Sequence, residues 1–413
     1  MKKLNFLILL ICCIAVLTSC NNRNEITNIH EDNGINFVTK ENAISFANKL
    51  SFYDVSENSK DTSLKIINKE VKEIKEIQGL KNASLYVINY KNGGFVILSA
   101  DNRSLPIFAV SSTSTFPFDA KSYPTGIVDW TVEAKNHIEE LRTKNLIQDD
   151  HTKYLWNHPS SRENLLLTLG DANIASNQIL KSVPPDDPDD PYYCNGTSEV
   201  ISSLTQTTWD QWDGYNNYTP NQGCSQSYNH NAPTGCVATA MAQIMKYHNY
   251  PNSYNWNLMP NGYGTNETSR LMRDIGNAVG MVYNCGGSSA NTESTVANAF
   301  KNNFGYQQSA TYIDYEGTNN YNVVRNELRA LKPVILRGGK RIGTWPFYQY
   351  VDGHAWVCDG FVWWSDCHAS MLSFYMNWGW GGSYNGLYAF NNFNPASYTF
   401  NYKAGAVVGI RKP

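Results

Sequence analysis

Cys236, His354 and Asn377 carry the side-chain types that make up a nucleophile, its base and an orienting amide. Cys236 stands near the start of Thr234-Gly-Cys-Val-Ala-Thr-Ala-Met-Ala-Gln-Ile-Met-Lys-Tyr-His-Asn-Tyr-Pro251. Val237 to Tyr247 is rich in good helix formers, Thr234 and Gly235 are turn and cap residues, and Pro251 cannot continue a helix. The spacing therefore predicts a helix that begins at or beside Cys236. Unpaired N–H groups and the positive end of the dipole favour an anion at such a position, so a lowered thiol pKa is expected there. The small residues Ala238, Ala240 and Ala242 suit a helix buried in a domain.

His354 follows Cys236 by 118 positions and opens a strand-like run behind Gly353, whose missing side chain lets substrate approach. Asn377 follows 23 positions later in Asn377-Trp378-Gly379-Trp380-Gly381-Gly382. An Asn amide oxygen can accept from one imidazole N–H and hold the ring toward the thiolate, while a neighbouring indole shields that bond. Cys, His, Asn is the chain order of papain-like proteases. Upstream, Gln211 in Thr208-Trp209-Asp210-Gln211 could donate to a developing oxyanion beside the Cys236 N–H. Taken singly, each residue also fits an ordinary role: a core thiol, a satisfied core histidine, tryptophans in a core or a sugar-stacking face. The joint order carries the reading. His248 lies about three turns from Cys236, too far along the helix for proton transfer, and reads as structural. Two rivals share these residues: a surface binding protein on a disarmed scaffold, and an acyltransferase using the same three groups.

The chain has 413 residues, enough for two domains. The formal net charge is −3 and no basic stripe exists, so nucleic-acid binding is not expected. Met1-Lys-Lys followed by apolar Phe6 to Val16 reads as a signal, too short to span a bilayer. Leu17-Thr-Ser-Cys20 resembles a bacterial lipoprotein signal, which implies cleavage before Cys20, lipid on that cysteine and export. Residues 20–35 then form a tether. Of the nine cysteines, Cys194, Cys224, Cys236, Cys285, Cys358 and Cys367 remain after the signal and the lipid site. None shows CxxC spacing, so neither a metal site nor any cofactor is expected. Their number suits disulfides in an exported chain, with the pairing open.

Helices are predicted within Ile35–Leu50 and at Ile127–Asn145, a hairpin at Leu85–Tyr90 and Phe95–Ser99 across Asn92-Gly-Gly, and a strand at Ile107–Ser111. This small α+β unit occupies residues 36–180 and holds no catalytic constellation. Ser182-Val-Pro-Pro-Asp-Asp-Pro-Asp-Asp-Pro191 lies in a linker, residues 181–195, extended, solvated and open to proteolysis just after Lys181. From 196 to 413, helices at Glu267–Val279, Glu293–Asn303 and Asn322–Leu331 precede strands at 334–337, 354–360, 372–378, 386–390 and 405–410, which spells α+β with an antiparallel sheet.

The segment Gly235 to Pro251, Gly353-His-Ala-Trp-Val and Asn377-Trp-Gly-Trp-Gly-Gly resemble the nucleophile helix, histidine strand and Asn-Trp loop of the streptopain family of bacterial cysteine proteases. Asn303-Phe-Gly-Tyr306 and Ala406-Val-Val-Gly-Ile also look like that family, and Gly93-Gly-Phe-Val-Ile-Leu-Ser-Ala-Asp101 is similar to its inhibitory pro-domain. The resemblance implies a papain-like fold, a zymogen silenced by its own pro-domain, and cleavage of protein or peptide substrates. It implies Cys236 as nucleophile, His354 as base, Asn377 and Trp378 as the orienting pair, Gln211 as oxyanion donor, and Gly235, Gly353 and Trp380 beside the substrate. It also suggests an apolar residue just before the scissile one. The chain departs from the family in its lipoprotein-like signal, its extra cysteines and its Gln-to-Cys spacing.

Overall fold

The computed structural model describes residues 34–53, 66–120, 123–168, 196–314, 320–342, 349–365, 369–392, 398–399 and 405–413. The signal, Cys20, Lys181, the Pro/Asp-rich linker, Cys194, Cys367 and His368 lie outside them.

The N-terminal half begins with α1 (Lys40–Lys49), capped by Thr39, whose hydroxyl accepts from the Asn42 N–H at 3.3 Å. A short pair follows, β1 (Ser51–Tyr53) with β2 (Ile66–Asn68). Then come β3 (Val71–Gln78), β4 (Ala83–Tyr90), β5 (Phe95–Ser99) and β6 (Ile107–Ser111) as an antiparallel meander. Gly93 and Gly94 make the expected β4–β5 turn with φ of 79° and 95°, where a side chain would be strained. Strand β3 is not expected from the sequence, because lysines and glutamates interrupt its apolar pattern. It is a sheet edge, where such charges discourage further pairing. Helices α2 (Thr125–Thr143), α3 (Asp150–Asn157) and α4 (Arg162–Thr168) complete this half, and only α2 was legible in advance.

The C-terminal half opens with β7 (Thr197–Ile201), then α5 (Cys236–His248), α6 (Asn266–Ala278), α7 (Ser294–Phe304), β8 (Thr311–Asp314) and α8 (Asn320–Arg329). The strands β9 (Val334–Ile342), β10 (Gln349–Ser365), β11 (Ser370–Asn377), β12 (Gly386–Asn392), β13 (Tyr398–Thr399) and β14 (Gly405–Val408) close the chain. Mixed helix and antiparallel sheet is the expected fold class, although β10 runs far longer than the segment 354–360 suggested. Its first part pairs with β9 and its last part with β7, both opposite β11.

Beyond the β1–β2 pair, the N-terminal strands β3 to β6 do not form a separate sheet. They join the C-terminal ones in the order β3-β4-β5-β6-β12-β11-β10-β9-β14-β8, through Leu387 opposite Val110 and Tyr388 opposite Ala109. The alternation of β10 then divides two cores. Ala355 and Val357 pack with α5, α6 and α7. Trp356 and Cys358 pack in the core that holds α2 and the N-terminal strands. Helix α5 is buried nearly all round, as its alanine and methionine content foretold.

A buried ion pair fixes the C-terminal end of α2. Asp101 accepts from Arg103 Nε at 2.8 Å and Nη2 at 2.7 Å, and from Arg142 Nε at 3.2 Å. The Asp101 and Arg103 side chains are wholly buried. Arg142, in the last turn of α2, also donates to the Ala83 and Ala100 carbonyls. Removing one partner strands a charge in the core at a cost of about 3–5 kcal/mol. Asp101→Ala should therefore destabilise the N-terminal half by about that amount in urea unfolding; a change under about 1 kcal/mol would contradict the assignment.

Candidate active site

Gly235 is the N-cap of α5 and has φ 85°, so Cys236 is the first helical residue. An added Cβ at Gly235 would lie 2.9 Å from both Met281 Sδ and the Ser288 carbonyl oxygen, which explains a glycine before the thiol. Ser288 Oγ donates to the Pro233 carbonyl at 2.7 Å. A disulfide between Cys224 and Cys285 closes the same two loops. The pairing that the sequence left open is thus settled for these two residues.

Cys236 is half-buried as a residue, and its sulfur accepts from the Ala355 N–H at 3.4 Å. Burial raises the thiol pKa, against the backbone N–H groups of Ala355, Val237 and Cys236, which pull it down. The expected lowering by the helix terminus is therefore outweighed by desolvation in this form of the protein.

His354 is buried and lies on the Trp356 side of β10. Its ring stacks on Trp356 at 5.9 Å and 15° and on Trp378 at 6.4 Å and 24°, with the Trp380 edge at 6.5 Å. Its Nε2 bonds the Trp378 carbonyl oxygen at 3.0 Å. A carbonyl can only accept, so Nε2 carries the proton there and the Nδ1 lone pair is the basic one. Burial holds His354 down to about 4, opposed by the Trp378 carbonyl. No hydrogen bond links His354 to Cys236 among the described residues. The two groups thus rest as a neutral thiol and a neutral imidazole rather than as an ion pair.

Asn377 ends β11 beside these groups, but its oxygen does not face the imidazole. Asn377 Oδ1 accepts from the Gly379 N–H at 3.2 Å, while Nδ2 donates to the Thr207 carbonyl at 2.7 Å and to Thr205 Oγ1 at 3.4 Å. The expected Asn–His bond is replaced by the main-chain carbonyl of Trp378, because the tight 377–379 turn claims the amide oxygen. Trp378 is fully buried against the imidazole. Gln211 stands beside the nucleophile loop, its carbonyl accepting from the Thr234 N–H at 2.9 Å. Trp209, two residues earlier, accepts from the Gly381 N–H at 3.2 Å, so the 209–211 segment bridges the Asn-Trp loop and the Cys loop. Trp380 is half-buried and Gly353 exposed. The structure thus brings the Cys236 helix, the His354 strand and the Asn377–Trp378 turn together, with Trp380 edge-on to the imidazole, Gly235 and Gly353 next in the chain to Cys236 and His354, and the Gln211 main chain beside the Cys loop. Among the described residues, no cluster of three or more His, Cys, Asp or Glu side chains is arranged for a metal ion.

Residues 209–257 and 252–388 match the peptidase C10 family, and residues 35–138 match the Spi protease inhibitor family. The chain belongs to the peptidase C10 family. It is similar to streptopain from Streptococcus pyogenes, 29% identical over 388 residues that cover 80% of this chain and 82% of that one. It is 31% identical over 224 residues to the thiol protease/hemagglutinin PrtT from Porphyromonas gingivalis, covering 46% of this chain and 23% of that one. Its fold is that of Prevotella intermedia prointerpain A, with TM-score 0.51 and 23% identity over 83% of this chain and 99% of that one. This member of the family is a cysteine peptidase made with its own inhibitor domain.

The neutral pair sets a pH expectation. With the imidazole down at about 4 and the thiol raised, no thiolate–imidazolium plateau exists near neutrality in the full chain. Alkylation of Cys236 by iodoacetamide, followed by peptide mass while the N-terminal half is attached, should be slow at pH 7 and climb steadily in the alkaline range. A flat, fast rate between pH 5 and 8 would contradict it.

Two features of the site were not read from sequence. One is Thr205 and Thr207, which touch Asn377; a Thr-x-Thr pattern ahead of Trp209 is too common to signal that. The other is Gly126, on helix α2. An added Cβ there would lie 2.7 Å from Trp378 Cζ3 and 2.9 Å from Trp356 Cζ3.

Proposed function

We propose that this peptidase cleaves proteins through Cys236 and His354, and that it is exported as a latent, lipid-anchored zymogen. The observation that carries the first part is the meeting of the α5 N-terminus with the His354 strand, at the Ala355 N–H to Cys236 Sγ contact of 3.4 Å. Once His354 turns its Nδ1 to Cys236, the thiol proton passes to the imidazole. The thiolate attacks the peptide carbonyl carbon and a C–S bond forms. The imidazolium gives its proton to the leaving amine as the C–N bond breaks. Water, deprotonated by His354, then cleaves the thioester and the thiol is restored. Trp378 orients the imidazole through its carbonyl and its indole, and Asn377 holds the loop that presents them. The Cys236 N–H and the Gln211 amide suit an oxyanion, while Gly235, Gly353 and Trp380 border the scissile bond.

Latency has a structural rationale. The first turn of α2 presses on the indoles of Trp356 and Trp378, which pack on each other at 4.9 Å, and His354 rests against both of them with its Nε2 tied to the Trp378 carbonyl rather than bonded to Cys236. Trp130, four residues further on, donates to the Ala389 carbonyl at 3.0 Å and meets Tyr388 edge-on at 5.0 Å. The indoles can relax only when this helix leaves. Cleavage in the linker 181–195, after Lys181 or by the enzyme itself, would free the helix and separate the enzyme from lipid on Cys20. Export and lipidation rest on the signal and its Leu17-Thr-Ser-Cys20 sequence. A preference for an apolar residue before the scissile one rests on the likeness to streptopain.

Cys236→Ala should reduce peptide hydrolysis to background and abolish labelling by a thiol-directed epoxide at that position. Retained hydrolysis would overturn the assignment. Gly126→Leu overpacks the indoles at a cost of about 1–3 kcal/mol, which disfavours the docked form about 5- to 150-fold. The full-length variant should process itself faster than wild type, as followed by intact mass. Equal or slower processing would count against this account of latency.

A further inference from the structure

The strand that carries His354 continues as Cys358-Asp359-Gly360, and the reaction outlined above uses none of these residues. Here the ladder between β10 and β11 slips. Cys358 pairs with Met376 and Gly360 with Tyr375, so Asp359 is the extra residue of a bulge. Bulges beside active sites re-aim a side chain. The Asp359 carbonyl leaves the ladder and accepts from the Leu204 N–H at 3.1 Å. Gly360 admits the backbone of Ile201 and Ser202; an added Cβ would lie 2.5 Å from the Ile201 oxygen and 2.9 Å from the Ser202 oxygen.

The Asp359 side chain is buried at 1% exposure, and one oxygen gathers three donors from this incoming segment. Asp359 Oδ2 accepts from Ser203 Oγ at 2.8 Å, the Thr205 N–H at 2.8 Å and Thr205 Oγ1 at 2.6 Å. The Thr205 hydroxyl has one proton, which goes to the carboxylate. Its lone pair is therefore turned to Asn377 Nδ2, at 3.4 Å. Two residues on, the Thr207 carbonyl accepts from the same Nδ2 at 2.7 Å, and Thr207 Oγ1 donates to Gln243 Oε1 on the Cys236 helix at 3.0 Å. Ser203 to Thr207 thus forms a strap that binds the His354 strand, the Asn377 turn and the Cys236 helix together.

We infer that Asp359 is a positioning residue for the peptidase: through Thr205 it fixes the Asn377 amide, and with it the Trp378 carbonyl on which the imidazole is oriented. A carboxylate suits this place because it can only accept, so it fixes the direction of the Thr205 hydroxyl that meets Asn377. The amide nitrogen of Asn377 is then committed to the strap and its oxygen to the Gly379 N–H. The 377–379 turn has a single hydrogen-bonded arrangement.

The inference rests on the assignment of Cys236 and His354 as the reacting pair, and the test separates the two. Wild-type, Cys236→Ala, Thr205→Val, Thr205→Ser and Asp359→Ala full chains are converted with trypsin, which is then quenched. Active sites are counted by epoxide labelling, and kcat and KM are measured on one peptide. Thr205→Val keeps the shape of the side chain and deletes its hydroxyl. It should lower kcat about tenfold to a hundredfold, with KM within about twofold, and Thr205→Ser should restore kcat. Asp359→Ala should match Thr205→Val or exceed it. Wild-type kcat in Thr205→Val, or a rise in KM alone, overturns the inference even if Asp359→Ala fails to fold. Loss that Thr205→Ser does not rescue also overturns it. Activity that survives Cys236→Ala would instead remove the underlying assignment.

Discussion

Everything about the site depends on the two faces of one strand. A β-strand sends successive side chains to opposite sides, so β10 cannot give all of its residues to the Cys236 helix. Ala355 and Val357 face that helix, and the Ala355 N–H reaches the sulfur. Trp356 and Cys358 face the other core. The imidazole stacks flat on Trp356 and so sits with the second group. Whether the thiol and imidazole act together is therefore a question of which side of a single strand a ring occupies.

The inhibitor domain meets this geometry through sheet pairing and aromatic packing. Its strands extend the sheet, and its helix α2 adds Gly126 and Trp130 to the aromatic packing around Trp378 and Tyr388. Tyr384 and Phe116 add an edge-on contact at 4.9 Å, and the Tyr384 N–H donates to the Thr115 carbonyl at 3.0 Å. Packed indoles transmit a displacement because cores of this density have few voids to absorb it. Burial also keeps both titrating groups neutral, the imidazole beside the indoles and the thiol beside the helical core.

Much of this was legible in the sequence where local chemistry dominates. The Cys236 helix, the Asn92-Gly-Gly hairpin and helix α2 follow from propensity, turn residues and period, and the order Cys, His, Asn places the site. What stayed hidden depends on long-range contact. Strand β3 looks like a charged loop until it is seen at a sheet edge. Asp359 reads as one more residue of a strand, since nothing local announces a bulge. The pKa of Cys236 was expected to fall from its place at a helix N-terminus, and it rises because desolvation by burial outweighs the backbone N–H groups. The Asn377 oxygen was expected on His354, and a turn two residues long takes it instead.

The loops before Gly235 are held by a cystine while the helix after it begins with a free thiol. These are opposite oxidation states of the same element within one fold. The cystine closes a loop of some sixty residues, and in the chain-entropy picture such a cross-link is worth about 4 kcal/mol. A reductant strong enough to open Cys224–Cys285 would loosen the Met281 and Ser288 loop that backs Gly235. Too oxidising a medium would instead consume Cys236 as sulfenic acid or a mixed disulfide. Between those limits lies a band of redox poise in which scaffold and nucleophile coexist.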